Sequence, residues 1–535
     1  RYLEARRESD APKSVAIAHR ETWVPTLTAA GAASAAYGSL AVTDFRGFKH
    51  FGVIGGTGML LCWIATFLFL PSILMLFERI SPIKPPVGII AKLRGLYGRP
   101  FAWLAGRFPR AVTLVATAIS IGSFVLAYQY VADDPMEYNM RNIANDEVAG
   151  QSETSRLNDL VDDITGRQGQ DGIAVATDRL DQVLPLKAAL VKVRDAAPAD
   201  RKPFNKVVTV YSLLPSEQKE KLELVTEARS KIERAHEKGF LDDEQWKKVE
   251  ELLPEENLKT ISVEDLPAQV VRSFTEKDGT RGRLVYITPA SGRSVWNGTY
   301  LIDWAASFRR TELPDGSVIL GSGRSVIFAD VILAVGEDAP KAIIVAILAT
   351  LFIVLLAFRA RWSGLAVILS VLVGLGWTVA ILAVFKSDWP WSEAGEFRQE
   401  ALKLNFLNFV ALPITIGVGA DYAVNVMQRY HHAGGAIRRV VVETGGAVVL
   451  CSLTTMLGYS ALTMSVNRAI QSFGIAAAAG EICCVITGVL VLPAVLVWRA
   501  RRKGRDGDEP AAGGEGDEPP AESEQDEEPA AGSPA

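Results

Sequence analysis

The chain has 535 residues, of which 49% are hydrophobic, a mean hydropathy of +0.17 and a formal net charge of −5. That length accommodates several domains, and the hydropathy is high for a soluble protein that also carries a charged tail. Basic residues sit in short clusters beside apolar runs, which excludes an extended nucleic-acid-binding surface.

A bilayer core of about 30 Å needs about 20 apolar helical residues to cross it. Eight stretches qualify in chain order: 22–43, 51–77, 111–132, 342–358, 362–385, 404–427, 444–466 and 470–498. The first is rich in Ala, Gly and Ser, so it is expected to pack among other helices. Asp421 lies in the sixth and Glu481 in the eighth, whereas the others carry no charge. Residues 1–78 thus hold two spans, and 79–110 form a basic linker with seven Lys or Arg and no acidic residue. Within that linker, 87–108 alternates apolar and basic residues and reads either as a surface-lying amphipathic helix or as a plain connection. A single span, 111–132, follows.

Residues 133–340 form a polar domain. Its predicted elements are strands at 172–177 and 206–213, a helix at 180–196, a charged helical hairpin at 216–253 broken at Gly239, and strands at 282–289 and 317–319. Residues 326–336 run helically towards the next span. This order suggests an α+β domain of βαβ-like units. It contains no catalytic motif, so an enzyme is not expected. Residues 341–498 form a five-span membrane domain. Residues 499–535 are a tail whose part from Asp506 onward has eleven acidic and no basic residues, a composition that cannot bury enough apolar surface to fold.

Placing the basic linker in the cytoplasm puts every other span-flanking basic cluster on the same side, as the positive-inside bias requires. Both termini are then cytoplasmic and the 133–340 domain is external. The four cysteines (Cys62, Cys451, Cys483 and Cys484) lie in apolar runs and read as small packing residues. No cofactor or metal set is indicated.

An internal repeat organises the spans. A shift of 422 residues aligns Glu21-Thr22 with Glu443-Thr444, Tyr37 with Tyr459, Leu40 with Leu462, Phe51-Gly52 with Phe473-Gly474, Gly58 with Gly480, Cys62 with Cys484 and Leu70-Pro71 with Leu492-Pro493. Two parallel membrane halves are a known transporter plan. By this symmetry, and from the start at Arg1 without a signal-peptide pattern, about four spans and another external domain are expected to precede the chain. Twelve spans in all result. The N-terminal half of the same protein is then a partner.

The span 404–427 carries the chemistry. Pro413, Gly417 and Gly419 loosen its helix and admit close neighbours, and Asp421-Tyr422 follows at once. A charge at mid-membrane costs about 2.5–3.5 kcal/mol on insertion scales and normally faces a bundle interior. A carboxylate there can take up a proton from one side and release it to the other, and Tyr422 can hydrogen-bond across the interface. The alternative is a hydrated Asp421 near the end of its helix, or one paired with Arg429. Thr454 and Thr455 are candidate neighbours, with back-bonding to their own helix as the competing role. Glu481 is a further possible neighbour, and it either lines an outward cavity or is hydrated near the external end of its helix.

The pattern Gly417-x-Gly419-x-Asp421-Tyr422, followed by Arg429-Tyr430, resembles the resistance-nodulation-division (RND) superfamily. Within it, residues 21–71, including Thr43-Asp44-Phe45-Arg46-Gly47, are similar to the MMPL-type lipid exporters and the hopanoid-transporter-like proteins. The resemblance extends over most of residues 1–498 through span order, loop sizes and repeat. It implies a polytopic helical protein of the bacterial inner membrane with a periplasmic porter-like domain. It also implies Asp-Tyr pairs that relay protons, and export of a hydrophobic or lipid-like substrate driven by the proton-motive force. Asp421 and Tyr422 match one relay pair. Membrane lipids, substrate and a second copy of the chain are the partners compatible with this reading. A SecD- or SecF-like translocation accessory and a sterol-sensing-type lipid-binding sensor are the alternatives.

Overall fold

Long apolar runs become helices in a bilayer because a helix satisfies every backbone N–H and C=O without water. A computed structural model of the chain describes residues 2–6, 9–82, 96–143, 172–253, 258–290, 293–386 and 402–503, with 157, 160 and 164 in addition. The proposed disorder of the tail from 506 onward and much of the linker 79–110 lie outside the described residues.

The helices before the polar domain are α1 (Ala11–Gly38), α2 (Arg46–Ile80), the short linker helix α3 (Arg99–Arg107) and α4 (Pro109–Ala132). After the polar domain come α9 (Arg324–Ala357), α10 (Trp362–Lys386), α11 (Ala411–His432), α12 (Gly446–Leu462), α13 (Arg468–Val485) and α14 (Leu492–Arg502). Seven helical segments among the described residues are long and apolar enough to cross a membrane, one fewer than the eight expected. The exception is the first, predicted at 22–43. Its residues form α1 and a 3-10 turn (Ser39–Val42), but Ala, Gly, Ser and Thr make it too weakly apolar to qualify. Its small residues serve packing instead. Ala29, Ala32, Ala33 and Ala36 are buried, and α1 packs on α2, α9 and α11.

The repeat is visible in atoms. A Cβ at Gly52 would lie 2.8 Å from Leu40 Cβ and 2.9 Å from the Tyr37 carbonyl oxygen. A Cβ at Gly474 would lie 3.0 Å from Leu462 Cβ and 2.7 Å from the Tyr459 carbonyl oxygen. These are the same contacts displaced by 422 residues, and each requires glycine for the two helices to touch. The Tyr37 and Phe51 rings lie 6.2 Å apart, and those of Tyr459 and Phe473 lie 6.1 Å apart. Hence α1–α2 and α12–α13 are copies of one helical hairpin. The copies diverge elsewhere: π-helical turns at Val441–Gly445 and Ile486–Val491 interrupt the second hairpin, while α1 and α2 run through without one.

The polar domain is built on β1 (Ile173–Ala176), α5 (Val183–Ala196), β2 (Phe204–Thr209), α6 (Gln218–Glu237), α7 (Asp243–Glu250), β3 (Leu284–Pro289), α8 (Gly298–Arg309), β4 (Arg310–Glu312) and β5 (Val318–Leu320). β3 pairs antiparallel with β1 on one side and β2 on the other, so β1–α5–β2 is a split βαβ unit with β3 inserted between its strands. The expected βαβ reading thus needs this insertion. Gly239 ends α6 at φ +72°, where the hairpin break is predicted. Helix α8 has no counterpart among the predicted elements. Tyr300, Leu301, Trp304, Ala305 and Phe308 recur at helical spacing and fill the domain core with Leu186, Leu190 and Ile287. The Tyr300 hydroxyl donates to the Pro203 carbonyl at 2.8 Å and accepts from the Ala290 N–H at 2.7 Å, and burial pushes its pKa up to about 12.

One buried carboxylate joins the repeat to the domain side of the bundle. Asp338 of α9, 1% exposed, accepts the backbone N–H groups of Asp44 at 2.8 Å and Phe45 at 3.3 Å, and a hydrogen bond from Lys341 at 3.3 Å. It thereby fixes the turn that leads into α2. Asp338→Ala orphans two donors and is expected to cost about 1–2 kcal/mol, read as a lowered thermal unfolding midpoint of the purified protein. An unchanged midpoint would remove this contact from the list of fold determinants.

At the opposite end the basic clusters converge. Arg429 pairs with Glu4 at 3.1 Å and Glu443 at 3.3 Å, Arg439 joins the same two carboxylates, Arg499 lies over the Trp362 ring, and Arg501 donates to the Gly106 carbonyl.

Candidate functional site

Helix α11 runs through the middle of the bundle, packed by α1, α9, α10 and α13. It starts later than the predicted 404: Leu404 exchanges backbone hydrogen bonds with Pro135 and Glu137, and Asn405 and Asn408 cap each other before the helix begins. Its predicted glycines sit at two close helix contacts. A Cβ at Gly417 would meet Ala36 Cβ at 2.9 Å, and one at Gly419 would meet Cys484 Sγ at 3.0 Å. Gly417 therefore seats α1 and Gly419 seats α13, and any larger residue would push these helices away from the Asp421 level.

Asp421 is half-buried, one turn beyond Gly417 on the same face. Its Oδ1 accepts a hydrogen bond from Asn425 Nδ2 at 2.6 Å, and the same amide reaches the Asp421 carbonyl at 2.9 Å. The partner is neutral. Arg429, the alternative partner, lies two turns away and is engaged with Glu4 and Glu443 instead. Asp421 is thus neither ion-paired to Arg429 nor placed at the helix end.

Tyr422 points to another face of α11. It is buried, and its hydroxyl donates to Glu481 Oε1 of α13. Glu481 is 2% exposed, so of its two readings the hydrated one is corrected: it is a buried carboxylate beside the Asp-Tyr pair. Ser452 of α12 is fully buried and adjoins both Tyr422 and Glu481. The π-helical turn Ile486–Val491 makes room for this arrangement. Its Gly488 faces Tyr422, and a Cβ there would lie 3.2 Å from Tyr422 Cβ. Such turns often mark functional sites because the inserted residue re-aims its neighbours.

Thr454 and Thr455 are not drawn into the cluster. Both donate to the Cys451 carbonyl of their own helix, at 2.6 and 3.1 Å. His431 is held by Ser363 Oγ at 2.7 Å and lies against Phe358. The four cysteines are free, two buried and two exposed.

Asn425 and Ser452 belong to the site but not to the predicted set. Asn425 was detectable, since it stands four residues after Asp421 on the same helical face. Ser452 was not, because nothing in its own helix marks it among the other hydroxyls.

Chemically, the cluster holds two carboxylates and one phenol within a single packed layer. A phenol both donates and accepts, so Tyr422 can exchange a proton position with Glu481 without moving its backbone. The Asn425 amide is the hydrogen-bond partner of the Asp421 carboxylate, whose charge is uncompensated by any cation among the described residues.

A sequence profile of the MMPL family matches residues 1–118 and 302–510. A membrane protein of Methanocaldococcus jannaschii is 23% identical over 256 residues, covering 46% of this chain and 59% of that protein. A membrane protein of Streptomyces coelicolor is 29% identical over 164 residues, covering 29% of this chain and 22% of that protein. Among solved structures, SecDF, a translocon-associated membrane protein from Thermus, is similar at a TM-score of 0.46 and 15% identity over 94% of this chain and 52% of its own. The chain therefore spans little more than half the length of the longer-matching relatives.

Proposed function

Starting from a chain that belongs to the MMPL family, we propose that the protein is a secondary transporter that exports a hydrophobic or lipid-like substrate, driven by protons passing through Asp421 and Tyr422. The observation that carries this reading is a carboxylate in the central span held by a neutral amide rather than a cation, beside a tyrosine that donates to a second buried carboxylate. An ionisable residue inside a membrane bundle is costly and is characteristic of proton pathways in pumps and transporters. The gathering of the arginine clusters at one end of the spans supports an orientation with that end and both termini in the bacterial cytoplasm and the 133–340 domain in the periplasm.

The proposal extends to a second relay helix. The α1–α2 hairpin duplicates α12–α13, whereas α11 has no duplicate among the described residues. A counterpart of α11, carried by an N-terminal portion of the same protein, would complete a paired site next to Asp421.

The test is transport in proteoliposomes holding the protein with that counterpart. An imposed pH gradient is expected to drive efflux of a fluorescent lipid analogue together with proton uptake, and an uncoupler is expected to stop both. Lipid binding or movement that continues unchanged with the gradient collapsed would favour a sensor and defeat the proton-driven reading.

A further inference from the structure

We propose that a pocket at the basic end of the bundle holds the phosphate-bearing headgroup of an anionic membrane lipid. The pocket lies between α3, the segment Ile437–Val442 and α14, and measures about 720 Å³. Four arginines line it: Arg99 and Arg107 from α3, Arg438 ahead of α12, and Arg501 from α14. No carboxylate lines it among the described residues. The side chains of Arg99, Arg107 and Arg438 make no hydrogen bond or ion pair among the described residues, and Arg501 gives one N–H to the Gly106 carbonyl at 2.7 Å.

Arg99, Trp103 and Arg107 follow one another at four-residue spacing, so they form one stripe along α3. The adjoining face, Ala102 and Ala105, is buried against the bundle. The arginine stripe is therefore held open over the pocket by the packing of the alanines beneath it. Guanidinium groups offer several N–H donors in a planar fork that fits phosphate oxygens. Four of them converging from three chain segments, with no counter-charge among the described residues, leave a site that an anion would stabilise.

The rest of the lining distinguishes a lipid from a free anion. Ile437, Val442 and Val497 give the pocket an apolar wall, which a dissolved phosphate does not need and which suits glycerol and the first methylenes. Trp103 is 63% exposed, and its ring meets Phe108 edge to face at 5.6 Å, immediately before α4 enters the membrane at Pro109. Exposed aromatics at that level are a feature of the headgroup region, and basic pockets between membrane helices take lipid headgroups by this combination. A lipid seated here would bridge the linker helix α3 to the π-helical turn that opens α12. The inference does not depend on the transport reading.

The experiment uses the full chain in nanodiscs of phosphatidylcholine doped with phosphatidylglycerol, with retained lipid counted by native mass spectrometry. Wild type is expected to keep phosphatidylglycerol in preference to phosphatidylcholine. Arg107→Gln with Arg438→Gln is expected to lower that retention by roughly twenty-fivefold, from about fivefold for each arginine. Arg359→Gln with Arg361→Gln removes the same charge at the same end but outside the pocket, and is expected to leave retention unchanged. Equal retention of the two lipids, or equal losses in both double variants, overturns the site. Displacement by excess inorganic phosphate would make it a free-anion site and overturn the lipid. Retention that rises on removing residues 506–535 would make the acidic tail the resident and do the same.

Discussion

Asp421→Asn is expected to abolish proton-coupled transport while the protein still inserts, purifies and unfolds as the wild type does. The substitution keeps shape and volume, and the amide oxygen can still accept from Asn425 Nδ2, now found 2.6 Å from the carboxylate. What disappears is the ability to bind and release a proton. A group that moves a proton in the rate-determining step is worth about 10²–10⁴-fold, so the loss should be at least about a hundredfold. Asp421→Glu, which restores a titratable group on a longer stem, should recover part of the rate. Proton uptake and substrate efflux, measured in the same vesicles, must fall together. Undiminished efflux in Asp421→Asn would end the assignment of this residue to the relay, whereas loss of folded protein would be seen separately in yield and melting.

Much of the architecture could be read from residues alone, because a bilayer imposes strong rules. The apolar runs correspond to seven helical segments, most with ends shifted by a few residues, although α9 starts at Arg324, well ahead of its predicted 342, and the shift of 422 residues reappears as matching contacts at Gly52 and Gly474. The first predicted span shows the limit of the hydropathy argument. Helix α1 is built of small residues because it packs between α2, α9 and α11, and interior packing lowers the very apolarity by which spans are recognised. In the polar domain every strand but β4 (Arg310–Glu312) was legible, but the insertion of β3 between β1 and β2 is a long-range pairing that no local pattern encodes. At the site, Gly417, Gly419, Asp421 and Tyr422 announce themselves by spacing. Glu481 does not, since a single carboxylate in an apolar run has the same local sequence whether it faces water or a tyrosine from a helix 59 residues earlier. The arginines of the basic pocket come from three distant segments, and only the fold brings them to one place.

The pairing of Tyr422 with Glu481 sets the second large effect. Glu481→Gln is expected to lower transport by about tenfold or more with little loss of stability, since the amide oxygen can still accept the Tyr422 hydroxyl while the side chain no longer titrates. Glu481→Leu is different. It strands the Tyr422 hydroxyl in a packed layer, where a buried donor without a partner costs about 1–3 kcal/mol. Tyr422→Phe alone strands the Glu481 carboxyl on the same scale. Removing both at once strands neither member of the pair, so Tyr422→Phe with Glu481→Leu should be more stable than the sum of its parts, with a coupling of about 0.5–3 kcal/mol. Thermal unfolding of the four proteins in one detergent gives the cycle directly, and simple additivity would mean that the two side chains do not bond in the membrane. The double variant also separates structure from transport. If the pair only packs α11 against α13, the compensated protein regains its activity along with its stability. If the pair carries protons, it folds well and stays inactive, and that is the outcome the geometry predicts.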